Sequence, residues 1–139
     1  MSDRSPDSVC LARIAADQPP FGELFGLKVR IAELDRVEAE MIVEPQFANR
    51  NGVMHGGAIM GLADNVGGTA TFLNLRPGEK TTTVESKTNF FRAIPVGSKV
   101  CAICEPLHKG RKTMVWQTKV MTEDGKLAAM ITQTQLVFT

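Results

Sequence analysis

The chain has 139 residues, which fits one domain with a proper core and leaves little room for a second. Hydrophobic residues make up 43% and charged residues 22%, a balance that excludes a disordered chain and a membrane-spanning one. The formal net charge of +1 lacks the basic excess that usually accompanies nucleic-acid binding.

The first 20 residues are polar and end in the pair Pro19 and Pro20, which predicts a flexible N-terminal arm with at most one helical turn near residues 11 to 16. The first ten residues contain no apolar core that could act as a secretory signal, so we expect a cytoplasmic location. The folded domain is then expected to span residues 21 to 139.

Two strands follow the arm. Apolar and polar residues alternate over residues 27 to 31 and again over residues 37 to 43, with a break at residues 33 to 36. Alternation with a period of two is typical of strands that bury one face, and the break predicts a hairpin turn.

The pattern changes at residue 56. From there to about residue 74 the chain is apolar on nearly every side, which predicts a buried helix that ends before Arg76, Pro77 and Gly78.

The remaining sequence predicts four more strands, at residues 81 to 91, 99 to 107, 113 to 122 and 127 to 138. Asp124 and Gly125 indicate a tight turn between the last two, because Gly accepts a positive φ. Two strands, one long helix and four strands predict an α+β fold in which an antiparallel sheet of about six strands wraps around one central helix.

The cysteines Cys10, Cys101 and Cys104 are odd in number and scattered, which does not predict a disulfide framework. Cys101 and Cys104 have the spacing of a metal or redox pair, but residues three apart on a strand point to opposite faces. We therefore expect ordinary packed thiols and no metal site.

One acid stands out in the helix. Asp64 is the only ionisable residue between Gly56 and Leu75, and an ionised carboxylate is costly to bury alone. Gly57, Gly61 and Gly68 share its face, which would let a substrate or another chain approach closely. The helix also begins with Gly56 and Gly57, where unpaired N–H groups can bind an oxygen that becomes negative during acyl transfer. The alternative is a structural acid paired with Asn65, Lys87 or a partner subunit.

Residues 47 to 65 resemble the hotdog-fold acyl-CoA thioesterases of the 4-hydroxybenzoyl-CoA thioesterase superfamily, in the subgroup typified by the phenylacetate-degradation enzyme. In that subgroup an Asn precedes a His-Gly-Gly by six residues, and an acid follows the His by nine. Asn49, His55 with Gly56 and Gly57, and Asp64 match this spacing. The likeness extends over residues 22 to 138, including the order of strands and helix.

The resemblance implies a role for each matching residue. Asp64 would activate a water as general base or attack the thioester carbonyl itself, and Gly56 would donate its N–H to the carbonyl oxygen. Asn49 and His55 would hold the water or the thioester, with Asn51 as a competing choice for the Asn role. A Ser or Thr of the strand after the helix aids the water in one branch. Strand alignment places this residue at Thr83, with Thr82 as the second choice.

The resemblance also implies an assembly and a substrate. The active site of the family is completed by a second subunit, so Thr83 is expected to act across the interface of a homodimer, or of a tetramer. In another branch a Thr lies four residues beyond the acid, a position that Gly68 occupies here. The substrate would be an acyl-CoA, with no cofactor and no metal.

The three phosphate groups of CoA call for basic residues near the site. Arg92 and the turn with Lys109, Arg111 and Lys112 are candidates, although charged turns often only solvate a surface. Gly57, Gly68 and Thr82 are further candidates for contact with the substrate. Two other functions stay open, a hotdog dehydratase or hydratase and a non-catalytic acyl-CoA-binding module.

Overall fold

The structure, a computed structural model, describes residues 8–139. Its helices are α1 (Ser8–Ala16), α2 (Pro20–Leu24) and α3 (Gly56–Leu73), with a short 3-10 turn at Pro45–Phe47. Its strands are β1 (Lys28–Glu33), β2 (Arg36–Ile42), β3 (Lys80–Phe90), β4 (Lys99–Lys109), β5 (Thr113–Met121) and β6 (Leu127–Phe138).

The six strands form one antiparallel sheet in the order β1-β2-β4-β5-β6-β3. Strand β3 pairs with the last strand of the chain, so α3 and β3 cross over three strands before β4 returns to β2. The two edges of the sheet are β1 and β3. An edge strand as long as β3 leaves a row of backbone groups available for pairing with another strand.

Helix α3 lies against the concave face of this sheet and supplies the centre of the core. Ile59, Leu62, Ala63 and Val66 are buried there. From the sheet side, alternate residues such as Trp116 on β5 and Ile131 on β6 are fully buried. The prediction of an antiparallel sheet wrapped around one long helix, the hotdog arrangement, is confirmed. No helix among residues 8–139 has the length and apolar character needed to cross a membrane.

Residues 8 to 16, predicted as part of a flexible arm with at most one helical turn near residues 11 to 16, form the longer helix α1, and residue 20 of that arm begins α2. Leu11 and Ala15 of α1 are buried, because they lie four residues apart on one face of the helix and pack against the core. The many polar residues of this segment made its short apolar face hard to recognise from the sequence. Residues 1 to 7 of the predicted arm lie outside the described residues.

Strand β3 carries a β-bulge that matters for the site. Its register with β6 shifts between Thr83 and Glu85, so Val84 is an extra residue on the β3 side. Bulges end regular pairing and redirect side chains. Thr81 and Thr83, two residues apart just before the bulge, face the same side of the strand.

Candidate active site

The first turn of α3 leaves one backbone donor without an acceptor. Nδ1 of His55 accepts a hydrogen bond of 2.8 Å from the N–H of Gly57, and the carbonyl of His55 accepts from Ala58 and Ile59. The N–H of Gly56 has no acceptor among the described residues. A helix start concentrates partial positive charge, so this amide is suited to bind an oxyanion. Gly57 was predicted to contact the substrate, but its N–H donates to the side chain of His55, which caps the helix.

Asn49 holds the loop that leads into this helix start. Its side-chain Oδ1 accepts from the N–H of Asn51 at 2.8 Å and from the N–H of Val53 at 3.3 Å. The loop is closed further by a bond of 2.7 Å from the N–H of His55 to the carbonyl of Phe47. Because the oxygen of Asn49 is occupied, its amide N–H₂ is the group left to meet a substrate or a water.

Asp64 lies on α3 with its side chain exposed in the single chain. The hydroxyl of Thr83 donates to its Oδ1 over 2.6 Å, and Nε2 of Gln133 lies 3.4 Å from the same oxygen. No Lys or Arg among residues 8–139 forms an ion pair with it, and its Oδ2 has no hydrogen-bond partner there. The carboxylate is therefore oriented by neutral donors and keeps one oxygen available.

Thr83 thus forms a hydrogen bond with Asp64 of its own chain. The cause is the pairing of β3 with β6, which brings Thr83 opposite Gln135 and over the middle of α3. The resemblance implied that Thr83 acts across a subunit interface, and that role stays a prediction.

A cavity of about 560 Å³ opens beside Asp64. Its walls come from the connection between α1 and α2 at residues 17 to 19, from one face of α3 that includes Gly68, and from β3 at residues 81 to 83. A Cβ added to Gly68 would meet no atom within 4 Å, so this glycine faces open space. The predicted residues Asp64, Gly68, Thr82 and Thr83 are brought together here.

Gly56 and Asn49 line a different cavity, together with Phe90 and Arg92. Eight residues separate Gly56 from Asp64, and a helix rises about 1.5 Å per residue, so the two are about 12 Å apart along the axis. A base and an oxyanion donor must both lie about 3 Å from the reacting atoms. Within a single chain, therefore, the N–H of Gly56 and the carboxylate of Asp64 lie too far apart to act on the same reacting atoms.

The predicted basic residues are dispersed. Arg92 is exposed beside Gly56. Lys109 forms an ion pair with Asp35 and donates to Oδ1 of Asn74 at 3.2 Å, which occupies its ammonium group. Arg111 lines a cleft with Lys109 at the far end of α3, and Lys112 is exposed in the same turn.

Two residues at the site were not predicted from the sequence, namely the buried glutamines Gln133 and Gln135 of β6. They occupy inward positions between Ile131 and Val137, where the strand alternation leads one to expect apolar residues. A polar residue at a core position of a strand was the signal that could have found them.

Comparison with known proteins decides the family. The model of the thioesterase superfamily matches residues 51–129. The chain belongs to the thioesterase superfamily. As a thioesterase, it is 34% identical over 93 residues to 1,4-dihydroxy-2-naphthoyl-CoA hydrolase of Escherichia coli, which covers 67% of this chain and 68% of the relative.

Two further similarities agree. The proofreading thioesterase EntH of Cronobacter sakazakii is 34% identical over 92 residues, or 66% of each chain. A crystal structure of a thioesterase from Haemophilus influenzae superposes with a TM-score of 0.83 at 26% identity, covering 98% of this thioesterase and 93% of that chain. The predicted activity of a thioester hydrolase is confirmed.

Proposed function

We propose that this thioesterase hydrolyses acyl-CoA thioesters at a site shared by two copies of the chain. Asp64 and Thr83 of one copy supply the base, and Gly56 of the other supplies the oxyanion donor, with Asn49 and His55 at its side. The observation that carries the proposal is the carboxylate of Asp64, which lines the 560 Å³ cavity and is oriented by Thr83. It forms no ion pair among residues 8–139.

The proposed chemistry uses the two groups that have no hydrogen-bond partner among residues 8–139, namely Oδ2 of Asp64 and the N–H of Gly56. Oδ2 of Asp64 takes a proton from a water, whose oxygen attacks the thioester carbonyl. The carbonyl oxygen becomes negative and is bound by the N–H of Gly56, where the helix start adds its positive potential. The tetrahedral intermediate then expels the CoA thiolate, and Asp64 returns to its sulfur the proton that it took from the water. Thr83 keeps a lone pair that can accept a hydrogen bond from the attacking water.

The β3 edge supports a second copy. Val84, Phe90 and Met60 are large apolar side chains that are 56%, 52% and 39% exposed, and they lie on β3 and on α3. Pairing β3 with the β3 edge of a second copy would cover the open backbone groups and these side chains together. Such a pairing brings the start of one α3 toward Asp64 of the other.

The name of one relative supports an aromatic acyl group as the preferred substrate. The E. coli relative is named for a naphthoyl-CoA substrate. We expect aromatic acyl-CoAs to be good substrates here and straight-chain esters to be poorer ones. The ring of Phe72, 59% exposed at the wall of the cavity, offers a surface for such a group.

A thiol-release assay over acyl-CoAs of different chain length and aromaticity tests this proposal. Replacing Asp64 by Asn should lower kcat by about 100-fold to 10,000-fold, the range that a general base contributes. Glu123→Gln, at the exposed β5–β6 turn, is the matched control and should keep the full rate. Full activity of Asp64→Asn would show that the base is assigned wrongly.

Labelled water distinguishes base from nucleophile. In a single turnover in ¹⁸O water, a general base places the label in the acid product. Label in the Asp64 carboxylate would show instead that this side chain attacks the carbonyl.

A further inference from the structure

Gln135 lies on β6 directly opposite Thr83 of β3, and its side chain is 1% exposed. A buried amide must satisfy both of its ends. Its Oε1 accepts from the hydroxyl of Thr81 at 2.9 Å, and its Nε2 donates to Oγ1 of Thr83 at 2.6 Å. Thr81 and Thr83 are two apart on one strand and therefore face the same side.

The direction of these bonds is fixed by charge. An ionised carboxylate only accepts hydrogen bonds, so the Thr83 hydroxyl must give its proton to Asp64. Thr83 can then only accept from its other neighbour, and Gln135 must present Nε2 rather than Oε1. The chain of donors runs from Thr81 through Gln135 and Thr83 to Oδ1 of Asp64.

This chain determines which carboxylate oxygen is available. Both contacts to Asp64 fall on Oδ1, from Thr83 at 2.6 Å and from Gln133 at 3.4 Å. A flipped Gln135 amide would offer Oε1 to Thr83. The Thr83 hydroxyl would then turn its proton toward Gln135, and the shorter contact to Asp64 would be lost.

We propose that Gln135 is a positioning residue for hydrolysis, which holds the Thr83 proton on Oδ1 of Asp64 and so keeps Oδ2 directed at the attacking water. The inference rests on the proposed role of Asp64 as general base. Gln135 lines the cavity, but it is 1% exposed and both of its polar atoms are bonded to Thr81 and Thr83, so it acts through Thr83 rather than by touching the acyl group. Thr81 contributes by fixing which end of the amide faces Thr83.

The test is a double-mutant cycle on kcat and KM with the best acyl-CoA of the panel. Gln135→Met keeps the length of the side chain and removes the donor. It should lower kcat by about 10-fold to 100-fold, as expected for a misplaced base, and leave KM unchanged. In a Thr83→Val background, Gln135→Met should lower kcat no further, because the hydroxyl that Gln135 orients is absent.

Two further variants keep the test decisive. Thr81→Val removes only the group that orients the amide, so it should lower kcat by a smaller factor in a fully folded protein. Gln117→Met makes the same exchange on the outward face of β5, away from Asp64, and should leave kcat unchanged. Melting temperature and oligomeric state are measured for every variant.

The outcomes separate the two proposals. If Gln135→Met lowers kcat by the same factor in the wild-type protein and in the Thr83→Val background, Gln135 contributes only packing, and the inference is overturned. Full kcat of Gln135→Met and of Thr81→Val would overturn it as well, while the role of Asp64 stands. No release of CoA by the unchanged protein from any ester would overturn the proposed function and this inference with it.

Discussion

Gly67 of α3 and Gln133 of β6 are in such close contact that a Cβ on Gly67 would lie 2.6 Å from Nε2 of Gln133 and nearer still to its Oε1. Gln133 is fully buried, so it has no room to withdraw. The helix therefore approaches the sheet closely at this point, one helical turn beyond Asp64. That approach places Gln133 within 3.4 Å of the carboxylate.

Replacing Gly67 by Ala should destabilise the protein by about 1–3 kcal/mol, because the added methyl group overpacks this contact. Gly68→Ala, one residue away, meets open space and should raise the free energy of unfolding by about 0.5–1 kcal/mol through helix propensity. Denaturant unfolding of both variants at one protein concentration measures the difference. Equal stabilities would contradict the packing argument.

Replacing Gly56 by Pro should remove one N–H and little else. Gly56 is the first residue of α3, a position that accepts Pro, and His55 before it has φ −62° and ψ 138°, which suits a residue preceding Pro. If this N–H binds the oxyanion, kcat should fall by about 100-fold to 1000-fold. Gly56→Ala keeps the N–H and serves as the control for size, with its Cβ in ordinary contact with Phe90.

Mixing two inactive variants tests whether the site is shared. In a dimer of Asp64→Asn with Gly56→Pro, one site combines both defects and the other combines Asp64 of one copy with Gly56 of the other. Equal mixing after unfolding and refolding should restore about a quarter of the wild-type rate, since half the dimers are mixed and each has one working site of two. Activity that stays at the level of the separate variants would place the whole site in one chain.

The buried thiol of Cys104 predicts a pH effect on stability. Burial raises the pKa of Cys104 from its ordinary value of 9.0 to about 12. The unfolded thiol therefore loses its proton at a lower pH than the folded one, and the free energy of unfolding falls as pH rises from 9 to 12.

Cys104→Ala should flatten this fall by up to about 1.4 kcal/mol per pH unit, measured by denaturant titration at several pH values. The same slope in both proteins would contradict the assignment. Cys101→Ala provides the comparison: burial also raises the pKa of this half-buried thiol, but by less, so the variant should flatten the fall by less than Cys104→Ala does.

Much of the fold was accessible from the sequence because its signals are local. The period-two alternation predicted the hairpin of β1 and β2, and the all-round apolar run predicted α3 from Gly56 to within one residue of its end. Of the helix α1, only a single turn near residues 11 to 16 was predicted, because two buried residues in a polar segment make a weak pattern.

The candidate site divides in the same way. Asp64 could be singled out because an acid alone on an apolar helix is conspicuous within the sequence itself. Gln133 and Gln135 show in the sequence only as polar residues at inward positions of a strand, and their contacts to Asp64 and Thr83 come from α3 and β3, which are about 50 or more residues away along the chain. Strand register, not local composition, brings them there.

The sequence by itself determined the elements of this thioesterase, the acid on its helix and the glycines at the helix start, because hydrophobic periodicity and residue type are properties of neighbouring residues. Only the tertiary structure decided that Thr83 meets Asp64 of its own chain and that Gln133 and Gln135 of β6 lie beside that contact. Those contacts depend on strand order and register, which are set when distant segments pack to bury their apolar faces.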